Sequence, residues 1–337
     1  MPTDSQDSKE MRVYNKEEAR ERINGLAREG CEFVFIINYA QTQAYIEEVC
    51  DIDSSELLFS FPHFSNVPPG LQPSGLPLEW QVEVPDREVY ATSIGHVKRN
   101  IRAGNSYLTN LTCKMPLATN MSLRELFLRS EARYRCWLRD RFVCFSPETF
   151  VTIDDGTICS YPMKGTCDAS LPDAEATLLA NAKEAAEHAT IVDLIRNDLS
   201  LVADEVRVSR YRYVDRLATS CGPLLQTSSE ITGELTPHYR RHLGDLLFKL
   251  LPAGSITGAP KPMTMQIISE AEHYDRGFYT GIMGHHAAGR VDSAVMIRFV
   301  DQEDGRLYYK AGGGITAYSN DDDEYQEVIQ KVYVPIH

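Results

Sequence analysis

Glu148 and Lys164 flank an Asp154-Asp155-Gly156 turn signal, which puts an acid and an amine at the open end of one β-hairpin. Their relative facing depends on the turn. With a two-residue Asp155-Gly156 turn, Glu148 opposes Met163 and Lys164 opposes Pro147, and a strict ladder points the two side chains to opposite faces. With a three-residue loop, Glu148 opposes Pro162 and Lys164 becomes its diagonal neighbour on the same face. The plainer alternative is a surface ion pair, which most such pairs are.

A second group is helical. Glu324, Glu327 and Lys331 stand at i, i+3 and i+7, within a sector of about 60° at the α-helical repeat, beside an apolar stripe of Tyr325, Val328, Ile329 and Val332. Two carboxylates on the rim of a buried face could hold Mg²⁺, which takes few carboxylates together with water and substrate oxygens. The preceding Asp321, Asp322 and Asp323 also fit a solvated acidic helix start that complements the dipole. Glu184 and Glu187 are spaced i, i+3, which for like charges commonly marks a solvated face. Gly312-Gly313-Gly314 could present backbone amides to a carboxylate, or simply turn the chain. LPAGSITGAPK lacks the G-x-x-x-x-G-K-[ST] spacing of a nucleotide loop, and His273, His285 and His286 lack metal-ligand spacing and read as structural or exposed.

The elements that must carry these residues are mixed. Asn15 and Glu18 form a capping-box pattern for a short helix ending near Gly30, and EFVFIINYA and ELLFSFPHF read as strands. PPGLQPSGLP is the linker candidate, dividing a short segment 1–85, whose helix and strands pack on the main body, from a catalytic region 86–337. From Asp86 the chain alternates a helix (EVYATSIGHVKRNI), a strand (SYLTNLTCK) and a helix (SLRELFLRSEA) before the hairpin formed by RFVCFSPETFVTI and TICSYPM. A longer helix runs from Asp173 to about Asn197. VRVSRYRYV reads as a strand, HYRRHLGDLLFKLL and PMTMQIISEAE as helices, followed by two or three strands between Tyr279 and Lys310 and a terminal helix from about Asp322. The absence of a regular βαβ period argues for one large α+β domain.

Composition bounds the partners. With 34 Lys+Arg against 48 Asp+Glu, the net charge of -14 repels nucleic acid and anionic membranes, and an anionic substrate needs a local cluster of cations, a metal ion or backbone amides. The polar N-terminus and the lack of a long apolar run predict a cytoplasmic chain with no membrane span. Eight cysteines without a C-x-x-C pair read as reduced, mostly buried thiols.

Taken in order, SPETF, PMKGT, AEHATIVDLIRNDL, LPAGSITGAPK, YTGIMG, MIRF, AGGGIT and EYQEVIQKV resemble the chorismate-utilising enzymes, over about three quarters of the chain from near residue 86. The resemblance implies an α+β fold with a core of two packed antiparallel sheets edged by helices. It also implies chorismate as substrate, Mg²⁺ as cofactor, and ammonia supplied by a separate glutamine amidotransferase subunit. Lys164 in Pro162-Met163-Lys164-Gly165-Thr166 stands where the anthranilate-forming branch reads P-I-A-G-T, and this favours the branch that aminates chorismate at C4 on the way to 4-aminobenzoate and folate. Leu108 occupies the place of the water-activating lysine of the isochorismate- and salicylate-forming branches, and a leucine cannot activate water.

By the same resemblance Lys164 is the nucleophile toward C2 and Glu148 the general acid toward the C4 hydroxyl. Glu187 and Glu327 are the Mg²⁺ ligands, with Glu324 close by. Tyr279 and Arg298 hold the enolpyruvyl carboxylate, and the amides of Gly313 and Gly314 and the amine of Lys331 are further carboxylate donors. The chain departs from the family at Gln226, where many relatives carry a histidine, and at Asn105 and Leu108, which replace Asp and Gln. The N-terminal block that forms a tryptophan pocket in longer relatives is not found. None of the eight cysteines lies in a glutaminase-like G-x-C-x-G setting, and the sequence ends at His337, just past the terminal helix, so neither an amidotransferase nor a lyase domain is expected. An anthranilate-forming enzyme, which Lys164 disfavours, and a non-catalytic chorismate-binding subunit, which the retained acid, lysine and glutamates disfavour, are the competing readings.

Overall fold

A computed structural model describes residues 11–219 and 222–335. Among them, two antiparallel sheets of ten and nine strands pack face to face. The inner strands of the first are Phe33–Ile37, Ile282–Ala287, Arg290–Val295, Thr149–Asp154, Thr157–Ser160 and Gly222–Leu235. The second centres on Leu108–Thr119, Arg306–Ile315, Phe299–Glu303, Phe142–Ser146 and Tyr134–Leu138. Strands from the first 85 residues extend both, Ala44–Glu48 in the first sheet and Leu57–Phe61 in the second. The expected single α+β domain is what the chain forms.

The strand period of two decides which side chain enters which layer. Val34 and Ile36 face inward with Met283 and Ala294, against Phe59, Tyr134, Phe142 and Phe299 of the second sheet. Their neighbours Phe33, Phe35 and Ile37 face outward, onto α1 (Lys16–Glu29) and, with it, the later helix Leu243–Leu250. Each such large apolar side chain contributes roughly 1.5–3 kcal/mol on burial. On the far side of the second sheet, α2 (Arg87–Arg102) and α3 (Leu123–Arg129) bury Tyr90, Ile94, Val97, Leu126 and Phe127 against Leu111, Trp137, Val143 and Tyr309. The order of layers is therefore helix, sheet, sheet, helix.

α1 begins at Asn15 with the reciprocal capping box to Glu18 and ends at Gly30 in the left-handed region, as its sequence predicts. Several elements differ from expectation. Residues 141–153, expected as one strand of the hairpin, break at Pro147-Glu148, where the chain leaves the second sheet for the first. The long helix after Asp173 is two helices, α4 (Ala174–Ala180) and α5 (Ala182–Leu199), because Asn181 is extended and caps α5 through the Glu184 amide. α6 (Leu243–Leu250) starts later than its sequence pattern suggests, and α7 (Lys261–Ala271) and α8 (Asp321–Gln330) fall where the pattern puts them. Four strands, not two or three, lie between 282 and 315, and strand Gly222–Leu235 has no counterpart among the expected elements. Of the seven described cysteines, all free, only Cys136 and Cys144 are fully buried and Cys50 is exposed, so the thiols are not mostly buried; Cys221 lies outside the described residues. No described helix is long and apolar enough to cross a membrane.

Candidate active site

Two of the passages from one sheet to the other run side by side, and each carries a candidate residue. Glu148 lies between Phe142–Ser146 and Thr149–Asp154; Arg298 lies between Arg290–Val295 and Phe299–Glu303. The passages are stitched together, the Val295 amide donating to the Glu148 carbonyl at 3.1 Å and the Phe145 amide to the Arg298 carbonyl at 3.0 Å. Arg298 sits in the left-handed region at φ 55°, its guanidinium lying 5.4 Å from the centre of the Tyr333 ring. Its Nε is buried without a hydrogen-bond partner, a donor suited to an anion. Tyr279 is 3% exposed on the adjoining turn, where the Thr280 amide donates to the Met296 carbonyl at 2.7 Å; burial pushes the Tyr279 hydroxyl pKa up.

Lys164 arrives by a route that neither turn geometry alone describes. Thr152 pairs with Cys159 and Asp154 with Thr157, the two-residue register, with Asp155 and Gly156 at φ 46° and 78°. The ladder ends at Ser160, however, and Met163–Asp168 pairs instead with Gly222–Leu235. The opposite-face expectation therefore fails, because Glu148 has already left the strand and Lys164 belongs to another ladder. The Thr227 hydroxyl donates to the Lys164 carbonyl, and the Ser229 amide to that of Pro162 at 3.0 Å. Gln226, in the place of the family histidine, pairs across the ladder with Thr166.

The glycine strand brings the remaining groups together. A Cβ on Gly314 would lie 3.2 Å from Leu108 Cδ1 and 3.5 Å from Lys164 Nζ; one on Gly313 would lie 3.6 Å from both Glu324 Oε2 and Glu327 Oε1 and 3.8 Å from Lys331 Nζ. Bare backbone here lets the lysine and α8 approach the strand from its open side. Asn320 caps α8, and Lys331 at its far end donates to Glu327 Oε1 at 2.5 Å and to the Gly312 carbonyl at 2.9 Å. Burial lowers the Lys331 pKa, Glu327 opposes that shift, and the charges of Lys164 and Arg298 add to it. Burial also raises the Glu148 pKa, against the Ser255 hydroxyl hydrogen bond and the charges of Lys164, Arg298 and Lys331. The charges of three cations thus act on one buried carboxyl in a protein of net charge -14.

Groups the sequence reading did not assign also line this region. Ser255 reaches Glu148 from LPAGSITGAPK, a segment held by Lys261, which pairs with Asp198 at 2.8 Å and donates to the Leu250 carbonyl at 2.8 Å. Gly258, at φ 114°, packs so closely that a Cβ would meet the Leu108 carbonyl at 1.8 Å. Glu184 Oε2 lies 3.1 Å from a Cβ position on Gly165, beside Lys164, with Glu187 one turn further along α5. His188 is fully buried, with Nε2 2.6 Å from Ser229 Oγ; burial, helped by Arg212 and Lys164, pushes it down to about 4. Ser255 and His188 lie in the motifs LPAGSITGAPK and AEHATIVDLIRNDL, but neither motif assigned them a role. Of the other histidines, His286 is buried against the Cys31 carbonyl and His273 is exposed.

The donors fit a hard cation. Glu324 is 4% exposed, Glu327 already holds a cation in the Lys331 ammonium, and the candidate ligands Glu187, Glu324 and Glu327 offer only carboxylate oxygens.

The family model described as chorismate binding enzyme matches residues 8–337. A PabA-like protein of Haemophilus influenzae is 45% identical over 319 residues, covering 94% of this chain and 96% of that one. Aminodeoxychorismate synthase component 1 of Escherichia coli is 34% identical over 270 residues, covering 75% of this chain and 58% of that protein. Among solved structures, an isochorismate synthase of Bacillus anthracis superposes with a TM-score of 0.71 at 21% identity, over 95% of this chain and 89% of that one, a likeness of fold.

Proposed function

The chain belongs to the chorismate binding enzyme family, and from that premise we propose that it is an aminodeoxychorismate synthase, aminating chorismate at C4 to 4-amino-4-deoxychorismate for 4-aminobenzoate and folate biosynthesis. Its ammonia comes from a separate glutamine amidotransferase subunit. The observation that carries the reading is the charge of Lys164 acting on the buried Glu148 carboxyl, with Lys164 Nζ and Leu108 both against Gly314, Leu108 standing where a water-activating lysine would stand in other branches.

In this account Arg298 and Tyr279 receive the enolpyruvyl carboxylate, and the Gly313 and Gly314 amides with Lys331 receive the ring carboxylate. Glu187 and Glu327, with Glu324 beside them, would hold Mg²⁺, which would supply positive charge to that carboxylate. The Lys164 amine bonds to C2 as both ring double bonds shift toward C4, and the C4 hydroxyl leaves as water with the proton of Glu148. Ammonia then bonds to C4, the double bonds shift back, and Lys164 leaves as the amine, while Glu148 regains a proton from the new ammonium group. Burial of Glu148 supports its part, because an acid must keep its proton until the hydroxyl departs.

Lys164→Ala is expected to lose most C4 amination while chorismate still binds, since the nucleophile goes and the carboxylate donors stay. Assays at low and high ammonium separate the covalent route from direct attack by ammonia. Wild-type turnover by the variant at both concentrations would overturn the role of Lys164.

A further inference from the structure

The geometry points to a second ion site, unrelated to the carboxylates of the cleft: His238, His242 and Asp245 bind one divalent transition-metal ion of the zinc class where the turn before α6 meets α1. One donor atom from each residue lies within 4.8 Å of those of the other two. His238 Nε2 and Asp245 Oδ2 are 3.2 Å apart, the separation that two ligands at about 2.0–2.1 Å from a tetrahedral ion would take. The two imidazoles are stacked, with centroids 4.4 Å apart and planes at 19°, so binding requires the exposed His238 ring to turn until both lone pairs point at the ion.

The surroundings orient the donors as the outer partners of a metal site do. His242 Nδ1 is 2.8 Å from the His238 carbonyl, which fixes the ring and turns Nε2 outward. Asp245 Oδ1 accepts from Asn24 Nδ2 at 3.0 Å, while Asn24 Oδ1 accepts the Gly244 amide at 2.7 Å, so α1 sets the carboxylate and leaves Oδ2 to the imidazoles. The charge that opposes a cation is Arg20, whose Nε is 3.5 Å from Asp245 Oδ1; its Nη2 is already held by Glu17 at 2.7 Å. Two nitrogens and one oxygen select zinc-like ions over Mg²⁺, and the exposure of His238 leaves room for a water as fourth ligand.

The test uses the full chain without added histidines, stripped of metal by chelator, with Zn²⁺ titrated by calorimetry and Co²⁺ followed by visible absorption. One saturable equivalent is expected, with a Co²⁺ spectrum of low coordination number and a higher melting temperature, since the site exists only in the folded chain. His238→Ala and Asp245→Asn should each weaken that equivalent by about 10–100-fold or more, as loss of even a supporting partner does at metal sites. Arg20→Met should tighten it, a gain that a purely structural role for the cluster does not predict, and Glu327→Gln should leave it in place. No saturable binding, or an equivalent that survives His238→Ala and disappears with Glu327→Gln, overturns the proposal. His238 is exposed, so its replacement leaves the fold intact.

Discussion

Glu148 is where acid chemistry and stability pull against each other. Its carboxyl is pushed up by burial, so folding favours the protonated form. A raised carboxyl contributes stability that is fully present at low pH and is lost as pH rises through its folded-state pKa. Glu148→Gln keeps an uncharged group there at every pH. It should therefore melt above the wild type at neutral pH and converge with it in acid, while turnover falls by about 10²–10⁴-fold through loss of the proton donor. Thermal melts across pH, with turnover measured in parallel, check both halves; a wild type that is the more stable at neutral pH contradicts the assignment. Spacing singled out Glu148 and Lys164 only as a pair at the mouth of a turn, and the roles proposed for them came from the ordered motifs. Ser255 and His188 were not singled out, because their meaning comes from hydrogen bonds to Glu148 and Ser229, partners that local spacing does not reveal.

Helix α8 presents two carboxylates to the glycine strand, and their order along the helix sets unequal duties. Glu327→Gln should sharply raise the Mg²⁺ concentration needed for activity, and Glu324→Gln should do less, since Mg²⁺ is held by few protein groups; a titration in which both are silent would reduce α8 to a solvated face. α7 acts from behind. Past its end, Arg276 donates to both oxygens of Glu272 at 2.8 and 2.7 Å and to the carbonyls of Asn110 and Ile256, and Glu272 accepts the Thr112 amide at 2.7 Å. The pair is 2% exposed on both sides and fixes the strand that pairs with Gly312 and Gly314. Arg276→Met should cost about 3–5 kcal/mol by leaving a buried carboxylate unpaired; a denaturant midpoint and slope like those of the wild type would refute that. Apolar periodicity marks the helices, but it misses the strand Gly222–Leu235, which buries Thr227, Ser228 and Ser229 where apolar residues would signal a strand. The break at Pro147-Glu148 escapes local spacing too, because leaving one sheet for another is set by the partner strands.

Across the whole molecule, the acidic balance makes the anion-binding requirement legible from composition alone: a charge of -14 must be locally reversed for a dicarboxylate to enter. In the proposed function Lys164, Arg298 and Lys331, whose charges act on Glu148 at the seam between the sheets, supply that reversal. The ordered motifs disclosed the family and the α+β fold, but not how the first 85 residues extend both sheets, since the strands they join, Ile282–Ala287 and Tyr134–Leu138, lie far along the chain. No cysteine of the sequence has a glutaminase-like setting, and the proposed function takes its ammonia from a separate amidotransferase subunit. The most direct test is the product made by the purified chain from chorismate and Mg²⁺, with ammonium or glutamine as nitrogen source, identified by mass and by lyase-coupled release. The account predicts 4-amino-4-deoxychorismate, yielding 4-aminobenzoate, with ammonium, and none with glutamine until an amidotransferase subunit is added. Anthranilate as the product, or glutamine consumed unaided at the rate of product formation, would contradict it.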